Sequence, residues 1–296
     1  MILIVSAISF TLLSSAGGDA LSTLRENPQI SDKTIEGLKR IYGLDRTFAE
    51  RYGLWLFGAV SGDLGESFSF RIPVRTLIWS RFLNTLIMSA LAFVIAVVIS
   101  FFLSILSVRY RRRFLSGFIE TIILLSASTP RMVLALLVLV ITLRFSMSAP
   151  AAGEINLFQL FSGAIVLSVP LISVFLAQLR VGLADAMNED FVQLARAKGL
   201  AEWRVIASHA LRAALNPFLS IAGLSFGGLL GGSVIVETVL GWPGLGALMV
   251  SAVRGRDVPL VMGVVLVASA AVWLGNTIAE VLQLVNDKRL RSDNRG

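Results

Sequence analysis

Six stretches of this 296-residue chain are apolar over a length that leaves few folds open: residues 2–16, 83–108, 118–143, 160–179, 218–236 and 259–285. A helix needs roughly 20 mainly apolar residues to cross the hydrocarbon core of a bilayer, where backbone groups find no water and must pair within the segment. Composition agrees, with 55% of residues hydrophobic and 15% charged, a balance outside that of water-soluble domains of this length. The chain reads as an all-α integral membrane protein with six transmembrane helices. The first stretch is the shortest, and Met1 leads into it with no Lys or Arg ahead. Signal peptides and cytoplasm-anchored first helices both normally begin with basic residues. It is read as a first spanning helix whose start can lie upstream of Met1, in preference to a cleaved signal.

Basic residues set the orientation, because Lys and Arg in short loops are retained on the cytoplasmic side. Arg109, Arg111, Arg112 and Arg113 follow the second stretch, Arg180, Arg196, Lys198, Arg204 and Arg212 fall after the fourth, and Lys288, Arg289, Arg291 and Arg295 end the chain. The opposite short loops, residues 145–159 and 237–258, carry only Arg254 and Arg256. Both termini and the loop from 190 to 217 are therefore expected in the cytoplasm. The formal charge of +7 reflects this topology, and no aromatic-lined basic groove points to nucleic acid. The absence of Cys excludes disulfides, thiolate metal sites and Cys nucleophiles.

With no internal repeat in view, the division is a first transmembrane helix at 1–16, an extracytoplasmic segment at 17–82, a transmembrane core at 83–285 and a cytoplasmic tail at 286–296. A short helix is expected from Asp32 to Arg40, capped by Ser31 or Asp32.

The stretch "DFVQLARAKGLAEWRVIASHALRAALNP", residues 190–217, concentrates charge between two apolar segments. Phe191, Leu194 and Ala195 fall at helical spacing, and Gly199 suits the left-handed position that ends a helix. A second helix follows, with Trp203, Ile206, Ala207, Ala210, Leu211 and Ala214 on one face and Arg204, Ser208 and Arg212 opposite. Glu202 complements the dipole at its start, and Pro217 suits the first turn of the next spanning helix. Such a helix could lie on anionic lipid. The Gly-hinged predecessor favours instead a rigid knob that docks into another protein's groove.

"DFVQLARAKGL" with "HALRAALNP", then "LLGGSVIVETVLGWPGLGALMVSAVRGRDVPLVMGVVL" and "NDKRLR", together with "GDLGESF" and "PVRTLI", resemble the permease subunits of ABC importers in the dipeptide, oligopeptide and nickel group. The resemblance covers nearly the whole chain and implies a type I ABC importer permease-like fold in a bacterial inner membrane. It implies that the helix pair at 190–215 couples to an ATP-hydrolysing subunit. The partner-facing set would be Asp190, Ala195, Arg196, Ala197, Lys198, Gly199 and Leu200, with Glu202, His209, Leu211 and Arg212 following. Implied partners are a second homologous permease, two ATP-binding subunits and an extracytoplasmic solute-binding protein. The implied cargo is short peptides, with nickel or metal chelates, opines and glutathione-like compounds as alternatives. The chain departs from the group's pattern at Ala201, where a capping Ser is common, at Ala213, where Asn is usual, and at Gln193-Leu194-Ala195, where the broader motif opens with an acidic residue.

No G-x-x-x-x-G-K-S/T phosphate loop occurs, so ATP and Mg are expected on partner subunits and this chain is expected not to be an enzyme. An ion-coupled secondary transporter would place acids at membrane depth, but Glu120 and Glu280 lie near helix ends.

Gly223, Gly227, Gly228, Gly231 and Gly232 form a stripe containing two G-x-x-x-G spacings, which suits either a seam with a second permease along the pathway or packing inside this subunit. Glu237 and "GWPGLG", residues 241–246, read as a re-entrant outside element or a plain capped loop. A charge at membrane depth costs about 2.5–3.5 kcal/mol on insertion scales. Arg131 therefore either faces the pathway or pairs with Glu120 or Glu280 in the bundle, while Arg144 can snorkel from an outside end. His209 is the only histidine, and a lone imidazole is no metal site.

Overall fold

The computed structural model describes residues 2–15, 32–41, 43, 45–110, 113–144 and 156–286. Arg111, Arg112, Lys288, Arg289, Arg291, Arg295, the Ser31 cap and most of the 145–159 loop lie outside the described residues. Apart from one isolated bridge between Glu66 and Pro73, the regular structure among the described residues is helical. The helices are α1 (Ile2–Ser15), α2 (Asp32–Ile41), α3 (Phe48–Val60), α4 (Val74–Arg109), α5 (Arg113–Ser128), α6 (Arg131–Arg144), α7 (Leu157–Ala186), α8 (Asp190–Ala197), α9 (Glu202–Leu240), α10 (Leu245–Arg254) and α11 (Val258–Asn286).

Four of these, α4, α7, α9 and α11, are each long and apolar enough to span a membrane. A fifth span comes from α5 and α6 only if the pair is taken together, and α1 occupies the place of the expected first span with 14 residues. The uninterrupted helix expected over 118–143 is not formed. α5 and α6 meet at 92° across Thr129 and Pro130. Pro130 cannot donate to α5 and disfavours helical geometry at Thr129. The Thr129 backbone N–H and hydroxyl both donate to the Leu125 carbonyl, at 3.1 and 2.6 Å, so the helix end is satisfied locally.

A second correction concerns Pro217, which does not open a new helix. The chain runs as one 39-residue helix from Glu202 to Leu240 with Pro217 inside it. The amphipathic segment and the following span are thus a single rod of about 58 Å at 1.5 Å per residue.

The chain divides into two compact units, Met1–Thr85 with Pro243–Ala271, and Leu86–Trp242 with Val272–Gly296. In the first, Leu64, Val74, Ile78, Leu245, Leu248, Leu260 and Val264 form the core. α1 and α3 join through Phe10, whose ring stands 5.1 Å from Phe48 and 5.4 Å from Tyr52, and through the Ser6–Tyr52 hydroxyl pair at 2.9 Å. Asp257 ties this unit's loops together. It is fully buried, accepts from Ser67 Oγ, takes the Ser69 N–H at 2.9 Å on the same oxygen, and caps α11 by accepting from Leu260 N at 3.2 Å on the other.

In the second unit α7 is enclosed along most of its length and packs chiefly on α9, α5 and α6. Phe93, Phe101, Phe175, Phe218 and Phe226 form a chain of edge-to-face rings with centroids 5.1 to 5.6 Å apart. Such pairs contribute about 0.5–1.5 kcal/mol each beyond the area they bury.

Candidate functional site

α8, the turn at Gly199 and the start of α9 form a hairpin over a small core of their own. Val192 and Ala195 from α8 meet Val205, Ile206, Ala210 and Ala214 from α9 and Leu183, Ala186 and Met187 from the end of α7. Gly199 takes the expected left-handed geometry, with φ +76°, and its N–H donates to the Arg196 carbonyl at 2.9 Å while Leu200 N–H reaches Ala195 O at 3.3 Å. Only glycine holds that conformation without strain. Across the turn the Arg196 guanidinium forks onto Glu202, Nη2 to Oε1 at 2.7 Å and Nε to Oε2 at 3.3 Å. The hydrogen bond to Glu202 raises the Arg196 pKa above its ordinary value. The pair is solvent-exposed and worth at most about 1 kcal/mol, so it orients the turn more than it stabilises it.

The faces differ from those read at uniform helical spacing. Residues Val205–Ala210 form a π-helical turn, closed by Leu211 N–H on Ile206 O, which places Val205 and Ile206 together on the inner side. Trp203 is consequently turned outward. On α8 it is Val192 that joins Ala195 inside, while Phe191 and Leu194 face out. Ala195, expected toward a partner, is 4% exposed and belongs to the hairpin core. Asp190, Arg196, Ala197, Lys198, Gly199, Leu200, Glu202 and Arg212 are exposed, and His209 and Leu211 are half-buried. Around the Gly199 turn the expected Leu200, 37% exposed, is joined by three residues that sequence reasoning missed as outward-facing: Phe191, Leu194 and Trp203, at 42%, 58% and 56%. Their density in an otherwise charged stretch was the available signal.

The glycines of α9 divide between two sides. A Cβ on Gly223 would collide with Ala279 of α11, and one on Gly227 would stand 3.1 Å from Val272 Cγ1. These two are packing glycines within the subunit. Gly228 and Gly231 meet nothing within 4 Å and lie on the exposed side with Leu224 and Ile235. At Gly232 the missing side chain makes room for the Arg131 guanidinium. Arg131 therefore lies against α9 rather than at Glu120, whose carboxylate takes Arg180 Nη2 at 3.3 Å, with Ser116 bonded to both. Glu280 is exposed on α11.

Glu237 is fully buried in the last turns of α9. Gly241 ends the helix with φ +69°, Trp242 N–H donates to Glu237 O at 2.9 Å, and Gln159 Nε2 holds the Leu240 carbonyl at 3.0 Å. In the other unit Asn84 Nδ2 donates to Pro243 O and Thr85 Oγ1 accepts from Leu245 N, which fixes the start of α10. Asp257 was not singled out from the sequence, although Asp-Val-Pro ahead of an apolar run is a helix-start signal. Among the described residues, no group of three or more His, Cys, Asp or Glu could hold a metal ion.

Comparison with known proteins agrees with this architecture. Residues 96–292 match the family described as binding-protein-dependent transport system inner membrane component. The glutathione transport system permease protein GsiC of Escherichia coli is 32% identical over 97% of this chain and 94% of its own length. The oligopeptide transport system permease protein AppB of Bacillus subtilis is 32% identical over the same shares. Among solved structures, an amino acid ABC transporter aligns over 73% of this chain with TM-score 0.54 and 20% identity. The MetNI methionine ABC transporter in an inward-facing form covers the same share at 0.55 and 16%. These two likenesses establish a shared fold. The family match and the full-length relatives settle the lineage: this chain belongs to the inner membrane components of binding-protein-dependent transport systems, the permease subunits of ABC importers.

Proposed function

We propose that this permease forms, with a second homologous permease, the pathway of an ATP-driven importer of short peptides, and that the 190–215 hairpin is its contact with the ATPase. The observation that carries the reading is the outward cluster of Phe191, Leu194, Leu200 and Trp203 about a hinged turn, beside the exposed charges of Asp190, Arg196, Lys198 and Arg212. An apolar centre with a polar rim is the make-up of a protein interface. ATP and Mg are used by two partner ATPases, and an extracytoplasmic binding protein delivers the cargo. The basic residues at 109–113, 180–212 and 288–295 support a cytoplasmic hairpin and cytoplasmic termini. Peptide cargo is supported by the names of the relatives, which carry oligopeptide and glutathione, itself a tripeptide.

The continuity of α9 gives the coupling a mechanical route. One helix carries Trp203 at the hairpin, Gly228 and Gly231 on its open face, and Glu237 at its far end. A displacement imposed at the hairpin is transmitted along that rod, with the π turn and Pro217 as its two softer points.

The test is co-purification of the ATPases with wild type, Leu194→Asp and Trp203→Asp, followed by tripeptide uptake in vesicles. Both variants place a charge outside the hairpin core, so the chain should melt as wild type does yet lose the ATPases at least tenfold and lose uptake. Equal retention by all three proteins would remove the hairpin from the interface. Uptake of nickel but not of tripeptide would leave the coupling intact and replace the cargo.

A further inference from the structure

We infer that a cavity in the first unit binds the phosphate of an anionic phospholipid, a binding role beyond the proposed transport function. The cavity has a volume of about 270 Å³ and is lined by Phe10 of α1, Arg40 at the end of α2, Arg46 ahead of α3, and Arg51, Leu54 and Trp55 of α3. At about 30 Å³ per water it is several times larger than a lone ion needs, and it suits a phosphate with its glycerol.

Three arginines converge there through local geometry. Gly43, at φ +62°, donates its N–H to Arg40 O at 3.1 Å and accepts from Arg46 N at 3.3 Å, which folds the chain between α2 and α3 back on itself. The Arg46 side chain then lies over Gly43, its Cδ and Nε 3.7 Å from where a Cβ would stand. Arg51 is held above the Phe10 ring at 5.7 Å. The nearest carboxylate on α3, Glu50, is committed to its helix cap, with Oε2 accepting from Thr47 N and Thr47 Oγ1 at 2.9 Å each, though it lies within electrostatic reach of Arg46. Three arginines thus line a cavity with no acid among its described lining residues. Trp55, on the same face of α3, adds an aromatic wall to the lining.

Phosphate fits because guanidinium forks grip it bidentately. Lipid is indicated by what surrounds the cavity. Leu54 lines it while 53% exposed, Phe57 and Val60 beyond it on α3 are 80% and 84% exposed, and α1 carries exposed Leu3, Ile4, Ile8 and Leu12. In a membrane protein such side chains face acyl chains, so a phosphate on the arginines could have its tails on α1 and α3. Arginine and tryptophan together are the pairing that anchors proteins at the headgroup level.

The experiment titrates the delipidated, detergent-purified full chain with phosphatidylglycerol, phosphatidylcholine, inorganic phosphate and trialanine, reading bound adducts by native mass spectrometry. Wild type should retain phosphatidylglycerol at least tenfold over phosphatidylcholine. The variant Arg40→Gln/Arg46→Gln/Arg51→Gln should lose that preference, while Arg75→Gln/Arg81→Gln, outside the lining, should keep it. Equal retention of the two lipids by wild type overturns the proposal without reference to any variant's folding. Preferential binding of trialanine or free phosphate also overturns it, as does a triple variant that melts like wild type and still prefers phosphatidylglycerol.

Discussion

Removing the Asp257 carboxylate should break the first unit, by an amount the hydrogen bonds allow one to estimate. Asp257 is fully buried and bonds to a loop 188 and 190 residues earlier in the chain through the Ser69 N–H and the Ser67 hydroxyl, while its other oxygen caps α11 at Leu260 N. Ser67 also accepts from Phe70 N at 3.0 Å, so the loop is held through a relay. Loss of an Asp cap costs about 1 kcal/mol. Each of the other two bonds, to a charged acceptor, contributes about 1.5–3 kcal/mol. Asp257→Ala should therefore destabilise by about 4–7 kcal/mol, comparable with the whole net stability of many domains, about 5–15 kcal/mol. At about 2–4 °C per kcal/mol for a chain of this size, the melting temperature in detergent should fall by about 8 °C or more. Asp257→Asn keeps an oxygen for the cap or for the loop but not for both, and should fall between. A double-mutant cycle with Ser67→Ala should give a coupling of about 1.5–3 kcal/mol. A melt of Asp257→Ala within about 2 °C of wild type, or a cycle additive within about 0.5 kcal/mol, would refute the assignment of Asp257 as the tie between these loops.

Three further outcomes are expected. Gly223→Ala should cost about 1–3 kcal/mol through overpacking against Ala279, whereas Gly228→Ala, facing open space, should leave the melt of the isolated chain within about 0.5 kcal/mol and, on the proposed pairing with a second permease, weaken cross-linking to it. Gly199→Ala meets no neighbour but must hold φ +76°, a strain of about 1–2 kcal/mol that should appear as faster hydrogen exchange across 190–205. Ala201→Ser supplies the side-chain cap that the start of α9 lacks, and should slow the same exchange by about 1 kcal/mol of added stability.

How much of this could be read from the sequence depends on the range over which each feature is decided. The four long spans followed from hydropathy, and the left-handed Gly199 followed from its place after a short amphipathic run, both being local matters. The outward face of the hairpin was hidden because a π turn spans Val205–Ala210, and no uniform 3.6-residue template can anticipate that shift. It carried Trp203 out, and on α8 the inner place went to Val192 in place of Phe191 or Leu194. The G-x-x-x-G spacing announced close approach in α9 but could not say that Gly223 and Gly227 serve α11 while Gly228 and Gly231 stay open. Asp257 was hidden for a different reason, since its partners lie nearly two-thirds of the chain away and carry no signal of their own.

Pro130, Pro170 and Pro217 show why even a strong local signal can be ambiguous. Each lacks an N–H and crowds the carbonyl four residues earlier. At Pro170 and Pro217 the helix continues, because α7 is enclosed by its neighbours along most of its length and α9 is held at both its hairpin and its Gly223–Gly227 face. Tertiary packing there exceeds the roughly 3 kcal/mol cost of a proline in a helix interior. At Pro130 the flanking residues supply another solution: Thr129 satisfies the Leu125 carbonyl with both its N–H and its hydroxyl, Ser128 adds a third donor, and Pro130 O accepts from Val133 and Leu134 to start the next helix. A Ser-Thr pair ahead of the proline makes the break cheap in hydrogen bonds, and the resulting 92° turn sets Arg131 at the head of α6, where Gly232 leaves space for it. The break is thus what brings the one deep arginine of this segment onto α9.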